Sequence, residues 1–131
     1  PRNWPNFRDE FISDYTHLIK AFVKSGTKKS NIWICKMTPV FNWHPRFKSG
    51  TRDWFWQIKD AVKQVSVNNQ VGLIDLHSEL YARPDLFKDA LHPDSEGAEI
   101  IANAIAGAIT GNYGGLQLSP VFDNHINFMY D

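Results

Sequence analysis

The chain has 131 residues, with 14 Lys+Arg against 14 Asp+Glu and one cysteine. That length allows one domain burying roughly two-thirds of its unfolded surface. Zero formal net charge argues against a dedicated nucleic-acid or membrane-surface binder, and one cysteine excludes a disulfide framework or a multi-cysteine zinc site.

Hydrophobic content of 43% with 14% aromatics is that of a globular chain. No apolar run approaches the ~18 residues of a membrane span. The first 20 residues show no basic-then-apolar leader, while a start at Pro1 without Met leads us to expect polypeptide upstream. No Asn-x-Ser/Thr sequon occurs.

The spacing predicts a first helix over Asp9 to Val23. Phe11, Tyr15, Leu18 and Phe22 form one stripe, Ile12 and Ile19 widen it, and Ser25-Gly26 ends it. Ile32 to Met37 is a short apolar run that reads as a buried strand closed by Thr38-Pro39. A loop rich in aromatics and Pro follows, from Pro39 to Gly50. Trp54, Ile58, Ala61, Val62 and Val65 mark a second helix, which fades into an Asn68-Asn69 turn. Val71 to Leu76 reads as a second buried strand. Residues 77–94 are polar and broken by Pro84 and Pro93. A third helix is expected from about Glu96 to Ile109, with Ala98, Ile101, Ala102, Ile105 and Ile109 on one face and Asp94 or Ser95 as N-cap. This order is an α/β pattern with parallel strands and right-handed crossovers. Asn112-Tyr113-Gly114-Gly115 reads as a linker, and Leu116 to Phe122 alternates like a strand, so a domain boundary is expected near Tyr113.

Asp89-Ala90-Leu91-His92-Pro93-Asp94-Ser95-Glu96-Gly97 carries the most chemistry. It lies after the second strand and before the third helix, the carboxyl edge where open α/β sheets bind ligands. An Asp three residues before a His in a turn can accept the ring's Nδ1–H. That fixes the tautomer and leaves Nε2 free as a base. The bland alternative has Asp89 capping a turn and His92 on the surface. A metal site from Asp89, His92 and Asp94 with His77 or His44 matches no compact ligand spacing, so neither a metal nor another cofactor is expected. Ser25 to Ser30 lacks the first Gly of a phosphate loop and runs helix-to-strand, the wrong order. Cys35, mid-strand among apolar residues, reads as inert core. Trp54 reads as core. Trp4 and Trp43, with His44, are expected in loops, either as sugar-stacking faces or as plugs. None of the eight serines follows a strand in a tight exposing turn, and neither Gly-x-Ser-x-Gly nor Gly-Asp-Ser is present. The chain thus offers a candidate base and orienter without a nucleophile.

At Asp89-Ala90-Leu91-His92-Pro93 the sequence resembles the last block of the SGNH (GDSL-type) hydrolases, in which Asp-x-x-His supplies two members of a catalytic triad. Asn3-Trp4, Asp9 to Ile12, Asp14-Tyr15, Ile32 to Cys35, Pro39 to Phe41 and Leu73 to His77 are similar to the second half of enzymes of the sialate O-acetylesterase-like group. The resemblance covers residues 1–111. It implies a partial three-layer α/β/α, flavodoxin-like SGNH fold with parallel strands, its N-terminal half missing. It assigns His92 as general base and Asp89 as its orienter, and puts the Ser nucleophile and the oxyanion donors upstream of Pro1. Ala90 stands where that block often has Gly. Residues 116–131, around Leu116 to His125, look like the start of a second sialate O-acetylesterase-like β module after a 112–115 linker.

The implied parent is a bacterial, periplasmic or extracellular serine esterase removing O-acetyl groups from sialic acid or a related glycan. Its partners would be that acetyl ester, the rest of its own catalytic domain and a second esterase module, with no nucleic acid and no membrane. The alternative is a non-catalytic carbohydrate-binding or interaction module using the Trp4 and Trp43 loops. Two strands are few for a doubly wound sheet, so an unpaired apolar edge and poor solubility are expected of these 131 residues alone.

Overall fold

The computed structural model describes residues 3–47 and 49–111. Helix α1 spans Trp4–Lys24, earlier than the sequence spacing indicates. Trp4 is in helical phase with Phe11 and Tyr15, and Pro5 falls in the first turn, where a missing N–H breaks no bond. The predicted stripe divides. Trp4 and Ile19 are buried and Phe11, Ile12 and Tyr15 half-buried, but Leu18 and Phe22 join Phe7 on the outside. After Ser25 and a left-handed Gly26 comes a single 3-10 turn, Lys29–Asn31.

Strand β1 is Trp33–Lys36, helix α2 Ser49–Asn69 and strand β2 Gly72–Asp75. The strands pair in parallel, Trp33 opposite Gly72 through to Lys36 opposite Asp75. Alternation then sorts their side chains. Ile34 and Leu73 pack with Ile19, Val62, Val65 and Val71 beneath α1 and α2. Cys35 and Ile74 turn the other way. The sheet is an α/β core with parallel strands, as expected. Gly72 is required by its neighbour: the Trp33 ring lies over it, and a Cβ there would run into that ring. At the end of α2, Ser66 Oγ donates to Val71 O at 2.7 Å and Asn69 Nδ2 to Val65 O at 2.9 Å, so the turn into β2 is closed by side chains.

β2 passes directly into a helix absent from the sequence reading, α3, Leu76–Tyr81. Asp75 is both last strand residue and N-cap. Its Oδ1 accepts from His77 N and Ser78 N, each at 3.0 Å, and its Oδ2 from Ser78 Oγ at 2.8 Å. A 3-10 turn, Pro84–Leu86, leads to the loop before α4, Ser95–Thr110. Asp94 is the N-cap of α4, its Oδ1 accepting from Gly97 N at 3.0 Å. The buried face of α4 is rotated from the expected one. Gly97, Ile101, Ala104, Ile105 and Ala108 turn inward, the last four against Ile74 and Leu76, while Ala98, Ala102 and Ile109 face out. α4 therefore covers the sheet face opposite α1 and α2. No described helix is long and apolar enough to cross a membrane. The proposed linker 112–115 and second module 116–131 lie outside the described residues.

Candidate active site

The Asp89 to His92 turn is built from the floor up. Phe87 and Leu86 are buried with Leu80, Phe41 and Ala90, and this apolar cluster fixes the backbone on either side. Ala90 N donates to Phe87 O and Phe41 N to Ala90 O, both at 2.9 Å. The turn is thereby stitched to the loop after β1. Ala90 takes a left-handed φ of +68°, unusual for a residue with a Cβ, and its methyl is completely buried.

That twist aims successive amides at one oxygen. Asp89 Oδ1 accepts from Leu91 N at 2.9 Å and His92 N at 2.7 Å, while Oδ2 lies 2.6 Å from His92 Nδ1. The carboxylate holds the ring by a short bond and is itself held by two backbone amides. These bonds keep the Asp89 carboxyl well below the usual carboxylate range, chiefly through the His92 amide, then the His92 ring and the Leu91 amide, against a smaller effect of burial. An anionic Asp89 makes Nδ1 the protonated ring nitrogen and leaves Nε2 as the acceptor. His92 is 75% exposed, and among the described residues its ring has no hydrogen-bond partner except Asp89.

Because the folded value lies below the unfolded Asp value of about 3.9, the stability this carboxylate contributes is fully present above that pH. It is lost only as pH falls toward the lower folded value. A carboxyl-carbon NMR titration is expected to place the Asp89 midpoint below 3.9, with the His92 and Leu91 amide shifts moving together with it. A midpoint at the ordinary value would show that the turn does not hold the anion.

Pro93 and Gly97 complete the block. A Cβ on Gly97 would stand 2.7 Å from Pro93 Cβ, so the glycine lets the residue after His92 lie against the first turn of α4. Asp94 N donates to Leu86 O at 2.7 Å. Arg83 bridges Asp85 at 2.9 Å and Glu96 at 3.1 Å, linking the 3-10 turn to the start of α4, although exposed pairs of this kind add little stability.

The other sequence candidates separate. Trp4 is not in a loop: it is the first residue of α1, 3% exposed, with its ring edge-on to Phe11 at 5.2 Å. No face of Trp4 is open for a sugar. Trp43 lies in the turn after β1, half-exposed and stacked on Phe41 at 5.0 Å. His44 Nδ1 accepts from the backbone N–H of Arg46 and of Phe47, so its ring proton is on Nε2 and its acceptor is used in shaping the turn. Among the described residues no group of three His, Cys, Asp or Glu side chains could hold a metal ion.

A small cleft was missed by the sequence reading. It opens at the carboxyl ends of both strands, between Thr38 and Pro39 after β1, Trp56 and Lys59 on α2, and His77 and Tyr81 on α3. The buried His77 stacks on Tyr81 at 5.1 Å and meets Trp56 edge-on at 4.9 Å, and Lys59 Nζ sits 3.6 Å from the Trp56 ring centroid. Beside it, buried Lys36 pairs with Asp75 at 3.6 Å. The α3 cap at Asp75 was the available signal, since it turns a polar stretch into one aromatic helical face.

Comparison with known proteins adds one relative. Over 135 residues the chain is 33% identical to an acetylxylan esterase of Xylanibacter ruminicola (strain ATCC 19189 / DSM 19721 / CIP 105475 / JCM 8958 / 23), an alignment covering 83% of this chain and 26% of that protein. No family model matches the chain, and no solved structure does. The chain spans about a quarter of the length of the curated relative it matches.

Proposed function

We propose that these residues are the base-bearing part of a serine carbohydrate esterase of SGNH type. The observation that carries this is the 2.6 Å bond between Asp89 Oδ2 and His92 Nδ1 on an exposed ring at the carboxyl edge of a parallel sheet. The similarity to an acetylxylan esterase supports a carboxylic-ester hydrolase acting on carbohydrate. That relative's name favours a plant-type acetylated glycan over sialic acid.

His92 Nε2 takes the proton of a Ser hydroxyl as its oxygen attacks the acetyl carbonyl. The imidazolium, steadied by Asp89, then delivers that proton to the departing sugar oxygen as the C–O bond breaks. Water, deprotonated by the same nitrogen, attacks the acyl-enzyme, and the imidazolium returns that proton to the Ser oxygen as the acyl C–O bond breaks, releasing acetate. The nucleophile and the oxyanion donors come from polypeptide outside these residues, completing the sheet and the triad.

The test compares two proteins for acetate release from acetylated xylan and for p-nitrophenyl acetate turnover. The polypeptide carrying these residues with their upstream sequence is expected to turn over both substrates, and the 131-residue chain neither. Substantial turnover by the 131-residue chain, lost on His92→Ala, would overturn the division of the site. Inactivity of the longer polypeptide on every carbohydrate ester offered would overturn the esterase reading.

A further inference from the structure

We infer that the exposed rings of Trp43, Tyr81 and Trp56 form a sugar-stacking surface that holds the neutral backbone of a polysaccharide beside the His92 turn; the choice of a polysaccharide rests on the esterase reading above. The rings come from three separated segments, the turn after β1, the end of α3 and the N-terminal half of α2. They are 48%, 54% and 45% exposed. Between them lie two buried rings, Phe41 and His77, 9% and 7% exposed.

The array is continuous. Trp43 and Tyr81 are both nearly parallel to Phe41, at 5.0 Å and 6.4 Å with interplanar angles of 14° and 16°. Trp56 stands across Tyr81 at 5.7 Å and 77°, making a corner at the mouth of the cleft. The Lys59 ammonium against the Trp56 ring fixes that wall by a cation–π contact. Rings already immobilised in this way lose little rotamer freedom when a ligand arrives.

Two further observations select the occupant. The array shares its floor with the base, because Phe41 N donates to Ala90 O and Phe41 packs on Phe87 within the cluster that supports the Asp89 turn. A chain lying over Trp43 is therefore directed along the same sheet edge as the reacting ester. The exposed rings are also Trp and Tyr, each with an apolar face and a polar N–H or O–H at its tip. A sugar ring offers the matching pair, a face of C–H groups rimmed by hydroxyls. The outward Phe7, Leu18 and Phe22 of α1 have no polar tips, the character expected of a protein-covered face instead.

The experiment uses the longer polypeptide, these residues with their upstream sequence, and xylan stripped of its acetyl groups, read by affinity electrophoresis and by tryptophan fluorescence with xylohexaose. Saturable binding is expected, weakened about tenfold by Trp43→Ala and several-fold by Tyr81→Ala or Trp56→Ala, the size of loss that truncating an anchoring aromatic brings. Trp43→Phe should keep most of the affinity, and circular dichroism should show the variants folded. His92→Ala should bind as the parent does while abolishing acetate release in the longer polypeptide. Binding without hydrolysis in that longer polypeptide would count against the esterase reading alone. Absence of binding to xylan and other neutral polysaccharides, binding indifferent to all three rings, or concentration-dependent dimerisation abolished by Trp43→Ala would each overturn the surface.

Discussion

Asp89→Asn is expected to slow deacetylation by the proposed esterase about 10³–10⁴-fold, and His92→Ala at least as much. The reason lies in the tautomer. Asn can still accept the two turn amides through one oxygen, but it would present an N–H to Nδ1 where the carboxylate presents a lone pair. Nδ1 then becomes the acceptor, the ring proton moves to Nε2, and the base is lost with the turn intact. The loss should fall on kcat with KM little changed, since the orienter acts when the imidazolium forms rather than when substrate binds. Steady-state kinetics on acetylated xylan, with the amide shifts of Leu91 and His92 as a check on the turn, measure both parts. An Asn variant within threefold of the parent would remove Asp89 from the mechanism.

Phe87→Ala is expected to destabilise the fold by about 4 kcal/mol. Phe87 is fully buried, touches the Phe41 ring at 5.2 Å, and receives the amide of Ala90 on its carbonyl. Truncation would leave a cavity directly under the Asp89 to His92 turn. Urea unfolding should show a lower midpoint with an unchanged slope, and hydrogen exchange at Leu91 and His92 should accelerate. A change below 1 kcal/mol would mean that the cluster collapses freely and does not position the turn.

Much of this was legible in the sequence because it is local. The strand at Trp33–Lys36 and the one at Gly72–Asp75 stand out as short apolar runs, and Ser25-Gly26 marks the end of α1. The Asp89–His92 bond spans three residues, so spacing could suggest it, although it could not decide against Asp89 capping a turn with His92 on the surface, and the structure has all three features. What spacing could not give was direction. On α1 and α4 the apolar residues outnumber those the sheet covers, and only packing decides that Ile19 and Ala108 turn inward while Leu18 and Ile109 turn out. α3 was hidden because Asp75 ends a strand and caps a helix at once, leaving no turn residues between them. Trp4 was misplaced for a related reason: Pro5 looks like a loop residue, yet in a first helical turn it is at home. The cleft at Trp56, His77 and Tyr81 depends on α3 and could not be read without it.

Ala90 narrows what substitution can do at the heart of the site. Its backbone angle tolerates Gly, Asn or Asp more readily than other residues, whereas its sealed, apolar surroundings exclude any side chain that must be hydrated. Of those three, only Gly passes both filters. Gly would relax the backbone but surrender the methyl that locks the turn to Leu80, Leu86 and Phe87, and the unfolded chain would gain freedom. The position is a mutational bottleneck: the replacement that suits both the backbone and the apolar surroundings is the one that gives up this lock beside His92.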